Sequence, residues 1–196
     1  MPRVDTDAFY RLALERYGHN AEGAHWESAH TQRVRFNVLR RLLPADLADL
    51  TLVDVGCGMG DFYTYLKSEG ALPGRYLGID VVAPMVELAR TRTRQEILLL
   101  DALQDPLPEA DYYICSGAMN TFTRDETRQF IARCLAASRG GFLFNLLRGL
   151  DDCDTFNYWE PDEMLALAQD LGAVCAIETG YLREDFTVVL RRARRP

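Results

Sequence analysis

The stretch Leu52-Val53-Asp54-Val55-Gly56-Cys57-Gly58-Met59-Gly60-Asp61-Phe62 concentrates residues that could do chemistry. An apolar run enters glycines at alternate positions and leaves them as a helix. Such glycines let backbone approach a ligand closely and adopt φ values closed to other residues. Asp80 lies 20 positions after Gly60, at the end of the next apolar run. A carboxylate there can accept both hydroxyls of a ribose, through charge-assisted bonds worth roughly 1.5–3 kcal/mol each. A pyrophosphate site wants the spacing GxGxxG and a helix N-terminus clear of negative charge. Here the spacing is Gly56-x-Gly58-x-Gly60, and Asp61 stands where the third glycine would be. A carboxylate at that helix start opposes a phosphate and suits a cationic ligand. The plain alternative for the three glycines is a tight turn. Their coincidence with Asp80 and Asp101, each at a strand end, favours a ligand site.

The elements that must position these residues alternate along the chain. Strands are predicted over 50–55, 76–79, 97–100, 112–115 and 142–147, and helices over 61–68, 84–94, 124–138 and 160–171. Short apolar runs bounded by glycine, proline or aspartate carry the strand signal. Pro84 and Pro161 suit first helical turns, where a missing N–H costs nothing. Two final strands, 174–177 and 186–190, have no long helix between them and should pair antiparallel. Strands alternating with helices imply a mostly parallel sheet covered on both faces. Ligands of such sheets sit at the carboxyl ends of the strands. Residues 5–43 read as mostly helical, which divides the chain into an N-terminal helical cap over 1–45 and a core over 46–196.

Asp54-Val55-Gly56-Cys57-Gly58-Met59-Gly60 followed by Asp80 resembles the cofactor motifs of class I S-adenosylmethionine (SAM)-dependent methyltransferases. The resemblance spans about residues 50–190. It implies an α/β Rossmann-like three-layer sandwich, with a seven-stranded, mostly parallel sheet closed by an antiparallel C-terminal hairpin. It further implies that Asp54, Gly56 and Gly58 face the methionine part of SAM, that Asp80 holds the ribose, and that Cys57, Gly60 and Val81 belong to the same cofactor site. Asp101, Ala102 and Leu103 resemble the third motif, which meets the adenine; a turn cap explains Asp101 nearly as well. Ser116-Gly117-Ala118-Met119-Asn120 stands where the class forms the floor beside the sulfonium, and it lacks the Asn/Asp-Pro-Pro-Tyr/Phe pattern of base amino-methylating enzymes. Asn120 is read as turn-forming, with orientation of an acceptor as the alternative. Ahead of the glycines, Trp-x5-Gln-x2-Arg-Phe from Trp26 to Phe36 resembles a group of small bacterial methyltransferases. That likeness lays Trp26 over the cofactor and gives Arg35 its carboxylate, against an alternative of core tryptophan and surface arginine.

Other candidates read as ordinary structure. His19, His25 and His30 make no metal pattern, and His25 as a general base is the weaker reading. The segment 148–160, rich in acids and aromatics (Asp151, Asp152, Asp154, Phe156, Tyr158, Trp159), is expected to be a solvated loop anchored by Trp159. Reception of a cationic amine by that loop is the sharper alternative.

The 196-residue chain suffices for one domain with a sizeable core. Its net charge of −7, from 22 basic and 29 acidic residues, repels phosphate backbones and argues against duplex nucleic acid as a partner. Arg191-Arg192-Ala193-Arg194-Arg195 is expected to fray into solvent. No apolar run reaches the roughly 20 residues of a membrane helix. Five cysteines without a close pair argue against disulfides and zinc and suit a reducing cytoplasm. The expected function is methyl transfer from SAM to a small-molecule acceptor, with S-adenosylhomocysteine (SAH) as product. A silent SAM- or SAH-binding protein and a methyltransferase of protein or RNA are the alternatives. The sequence leaves catalytic residues, acceptor and oligomeric state open, and it predicts no metal.

Overall fold

The computed structural model describes residues 28–149 and 155–192, together with Leu12, Arg16 and Gly18. Within it the chain alternates as the apolar runs predict: α1 (Ala29–Leu42), β1 (Thr51–Val55), α2 (Asp61–Ser68), β2 (Arg75–Asp80), α3 (Ala83–Thr93), β3 (Glu96–Leu99), β4 (Ala110–Cys115), α4 (Arg124–Ala137), β5 (Ser138–Arg148), β6 (Tyr158–Trp159), α5 (Pro161–Asp170), β7 (Ala173–Thr179) and β8 (Asp185–Arg192). A 3-10 turn, Ala118–Thr121, follows β4. Local chemistry sets many of the boundaries. Ser28 with Thr31, and Thr123 with Glu126, close reciprocal capping boxes at the starts of α1 and α4. Pro84 falls in the first turn of α3, as the sequence suggests.

Five strands run parallel in the order β3-β2-β1-β4-β5, followed by β8 and then β7. β8 is antiparallel to both β5 and β7. The sheet is therefore the expected one with two refinements. First, the two-residue β6 pairs with the end of β5 and makes eight strands instead of seven. Second, the reversed strand lies inside the sheet, and β7 forms the edge. Burial explains the order. Phe186 to Leu190 is buried at every position, as a strand flanked on both sides must be. β7 alternates, and its Val174 is 60% exposed. Arg191 and Arg192, expected in a frayed end, instead complete β8 with their side chains exposed; residues 193–196 lie outside the described residues.

Two core clusters flank the sheet. Val53, Val55, Ile79, Tyr113, Phe142 and Phe144 face α4 and α5. Leu52, Tyr76, Ile114 and Leu143 face α1, α2 and α3. Strand alternation thus sends Asp54, two positions after Leu52, toward the helices α1–α3. Of the expected cap, α1 is described. Apart from Leu12, Arg16 and Gly18, the rest of the predicted N-terminal helical segment, with Trp26, His19 and His25, lies outside the described residues, as does the acidic trio Asp151, Asp152 and Asp154. Phe156, Tyr158 and Trp159 are described, and Trp159 is a buried anchor under the paired arginines Arg124 and Arg128. No helix among the described residues is long and apolar enough to cross a membrane.

Candidate functional site

The glycine turn sits at the carboxyl end of β1, where Gly56 and Cys57 donate backbone N–H bonds to the Ile79 carbonyl at 2.7 and 3.0 Å. Gly56, Gly58 and Gly60 all have positive φ, of 78°, 51° and 77°. The three are glycine for different reasons. A Cβ on Gly56 would stand 2.3 Å from the Cβ of Ala118, and one on Gly60 2.5 Å from Cγ2 of Thr93. A Cβ on Gly58 would meet nothing within 4 Å. Packing therefore requires glycine at positions 56 and 60, whereas position 58 faces open space.

Carboxylates surround this turn. Asp80, at the end of β2, accepts the Gly58 N–H at 2.8 Å on one oxygen and the Val82 N–H at 2.9 Å on the other. It thus fixes the turn itself while keeping further lone pairs. Its burial raises the carboxyl pKa, against the lowering effect of those backbone donors. Asp54 is 3% exposed and accepts a 2.5 Å bond from the Tyr76 hydroxyl. Burial pushes its pKa up to about 7; the Tyr76 bond opposes that rise, while Asp80 and Asp61 add to it. Neither Asp54 nor Asp80 pairs with a cation among the described residues. Asp61 differs. Arg92 pairs with it at 2.8 Å, and Gln32 of α1 donates to it at 3.1 Å. Arg92 also donates to the Met59 carbonyl at 3.0 Å, so α3 clamps the turn. Cys57 is buried beneath, its thiol pushed well up by burial and by Asp80 and Asp54, and so held as an unreactive thiol. Val81 is exposed beside Asp80.

Asp101 follows β3 by two residues and caps its own turn. Its oxygens accept from the Leu103 N–H at 2.9 Å and from the Gln104 amide at 2.8 Å. Ala102 and Leu103 are buried, and their carbonyls are held by Arg133 and Gln129 of α4. Ser116 and Gly117 follow β4, and Gly117, at φ 89°, turns the chain into Ala118–Thr121. Asn120 lies in that turn as expected, with its side-chain oxygen buried and without a partner.

The structure also joins Ser116 to Asn145, Thr187 and Tyr181, which the motifs do not include. Ser116 donates to the Asn145 side-chain oxygen at 2.7 Å, Asn145 donates to Thr187 at 2.6 Å, and Tyr181 lies 2.8 Å from Thr187. Asn145 and Thr187 are register partners on β5 and β8. Their one visible signal is a polar residue interrupting two apolar strands. Beside them Arg35 departs from its expected surroundings. It is buried, and two of its guanidinium nitrogens each donate at 2.8 Å to Asp185 at the start of β8. The expected carboxylate partner for Arg35 is thus supplied by the protein itself. The described residues contain no group of histidines, cysteines and acids able to hold a metal.

Residues 52–141 match the family model described as a methyltransferase domain. No curated protein matches the chain in sequence. Among solved structures, the chain resembles magnesium protoporphyrin IX methyltransferase from Synechocystis PCC 6803 with bound SAH, at 16% identity and a TM-score of 0.72, with 96% of each chain covered. The DhpI–SAH complex is similar at 17% identity and a TM-score of 0.71, over 96% of this chain and 95% of that one. An S-adenosylmethionine-dependent methyltransferase from Mesorhizobium loti shares the fold at 18% identity and a TM-score of 0.66, over 81% of this chain and 98% of that one.

Proposed function

We propose that the protein transfers a methyl group from SAM to a small-molecule acceptor, reading residues 52–141, which match a methyltransferase-domain model, as its cofactor-binding core on a fold shared with solved SAM-dependent methyltransferases. One observation carries the cofactor assignment. The buried Asp54 and the half-buried Asp80 bring carboxylates to a turn that is open at Gly58, and no cation of the described chain compensates them. SAM carries an ammonium and a sulfonium and no phosphate, so it fits this surface where a dinucleotide does not. When bound, it supplies a methyl group already activated by the positive sulfur.

The chain's own task is then to hold, orient and dehydrate. In this reading Asp54, Gly56 and Gly58 face the methionine part, Asp80 takes the ribose, and Cys57, Gly60 and Val81 complete the cofactor site. Asp101, Ala102 and Leu103 border the adenine. Ser116 and Gly117 lie beneath the sulfonium. We assign Trp26, from the cap of residues 1–45 ahead of the core of 46–196, to cofactor binding, and Arg35 joins α1 to β8. Alignment of an acceptor lone pair behind the methyl carbon can contribute roughly 7–11 kcal/mol without any covalent help from the protein. A small acceptor agrees with the net charge of −7, which disfavours a nucleic-acid substrate. A structural relative is named for such a substrate, magnesium protoporphyrin IX.

The test is calorimetric titration of the full chain with SAM, SAH and NAD, repeated on Asp80→Asn after its fold is checked by circular dichroism. The expected result is binding of both adenosyl ligands and not of NAD, weakened at least tenfold in the variant. Binding of NAD alone, or of none of the three, would refute the cofactor assignment.

A further inference from the structure

The hydroxyl and amide chain at the ends of β4, β5 and β8 has a hydrogen to spare. Its members are Ser116, Asn145, Thr187 and Tyr181, the last on the turn between β7 and β8. Together they carry five polar hydrogens: one on each hydroxyl and two on the amide. They make four contacts with one another, and the weakest, Asn145 to Tyr181, is 3.4 Å long. One hydrogen therefore has no partner among the described residues.

Burial decides which one. The Ser116 hydrogen goes to the Asn145 oxygen, which can only accept. Thr187 is 0% exposed and already accepts from Asn145, so its own hydrogen has one destination, the Tyr181 oxygen at 2.8 Å. A buried hydroxyl hydrogen left without an acceptor is penalised by about 1–3 kcal/mol, which fixes this direction. Tyr181 then accepts from Thr187 and keeps its own hydrogen for a partner outside the chain. Tyr181 is half-buried, at the carboxyl edge of the sheet. Its side chain is joined through Asn145 to Ser116, the residue read above as lying beneath the sulfonium.

We propose that Tyr181 is an acceptor-binding residue, whose hydroxyl donates to an oxygen of the methyl-accepting molecule and so selects carboxylates and carbonyl compounds over oxygen-free amines and thiols. Tyr181 binds and transfers no proton: burial, ahead of the nearby Asp185 carboxylate, pushes its pKa up to about 12, so it stays a neutral donor at physiological pH. Asn145 and Thr187 position it. The assignment rests on the cofactor reading above for the identity of the site.

The test uses the full chain saturated with SAH and three one-ring probes, benzoate, acetophenone and benzylamine, with binding followed by ligand-observed NMR. Benzoate or acetophenone should bind in preference to benzylamine. Tyr181→Phe should weaken that binding about tenfold, the equivalent of one hydrogen bond, and leave SAH affinity unchanged. Thr187→Val, which removes the hydrogen given to Tyr181 but not the one Tyr181 gives, should retain the oxygen probe within about threefold. Equal binding by wild type and Tyr181→Phe, preference for benzylamine, or no binding of either oxygen probe would each overturn the proposal. Failure of SAH itself to bind would instead overturn the cofactor reading.

Discussion

The two halves of the carboxyl edge handle polarity in opposite ways. At the ends of β1 and β2, the buried Asp54 and the half-buried Asp80 are met, among the described residues, only by hydroxyl and backbone N–H donors. At the ends of β4, β5 and β8, the charged groups Arg35 and Asp185 neutralise each other, and the remaining polar atoms form a neutral chain. Desolvated charge without a partner destabilises a fold, so it persists where a ligand completes it. A satisfied pair and a neutral network instead hold elements in place and offer single hydrogen bonds. On the proposed function, the difference suits the first half to a cationic cofactor and the second to an acceptor held by hydrogen bonding.

The largest expected effect probes the satisfied half. Arg35→Ala leaves Asp185 buried beside an absent partner and should destabilise the fold by about 3–5 kcal/mol, measured by denaturant unfolding. Asp185→Ala should destabilise it by a similar amount. An apolar replacement of both, Arg35→Met with Asp185→Leu, should recover most of the loss, because a buried pair contributes little net stability beyond its mutual neutralisation. SAH affinity of folded Arg35→Ala should remain within a few-fold of wild type. A hundredfold loss of SAH binding would break the comparison and move Arg35 into the cofactor half.

Next in size is the pH dependence that the uncompensated half should impose. Asp54 has its folded pKa raised to about 7, from 3.8. The folded state therefore holds a proton that the unfolded chain releases at lower pH. That contribution to stability is fully present below about pH 4 and is lost as pH rises through 7. Between pH 5 and 7 it should fall by about 2 kcal/mol. The Asp54→Asn variant should lack this slope, with the neighbouring groups Asp80, Asp61, Tyr76 and Cys57 unchanged. A slope identical in wild type and variant would show that Asp54 ionises as an ordinary surface acid. Saturating SAH, whose ammonium compensates the carboxylate, should flatten the wild-type slope as well.

These halves were unequally legible in the sequence. The glycine turn, Asp54 and Asp80 lie within thirty residues of one another, and each announces itself by type and spacing. The strand and helix order was legible because apolar runs and prolines are local signals. The acceptor half is assembled from positions far apart. Arg35 meets Asp185 across 150 residues, and Asn145 meets Thr187 through a strand register that no local pattern states. An arginine on an amphipathic helix looks like surface until its partner is known. The interior place of β8 was readable in principle, since Phe186 to Leu190 is apolar without alternation save for Thr187. The two residues of β6 were not, because a strand so short owes its existence to the end of β5.

The smallest expected change in stability makes the sharpest distinction within the cofactor half itself. Gly58→Ala places a methyl group where nothing lies within 4 Å, at a φ of 51°. The left-handed conformation penalises an L-residue by roughly 1–2 kcal/mol, with no clash to add to it. Gly56→Ala has a similar φ and a clash with Ala118, so it should be clearly the less stable of the two. If the open space at position 58 belongs to the cofactor, Gly58→Ala should lose at least tenfold in SAH affinity while melting within a few degrees of wild type. Retained affinity in a folded Gly58→Ala would mean that the ligand does not press on this turn. The negative half of the edge would then owe its glycines to the geometry of the strand-to-helix turn alone.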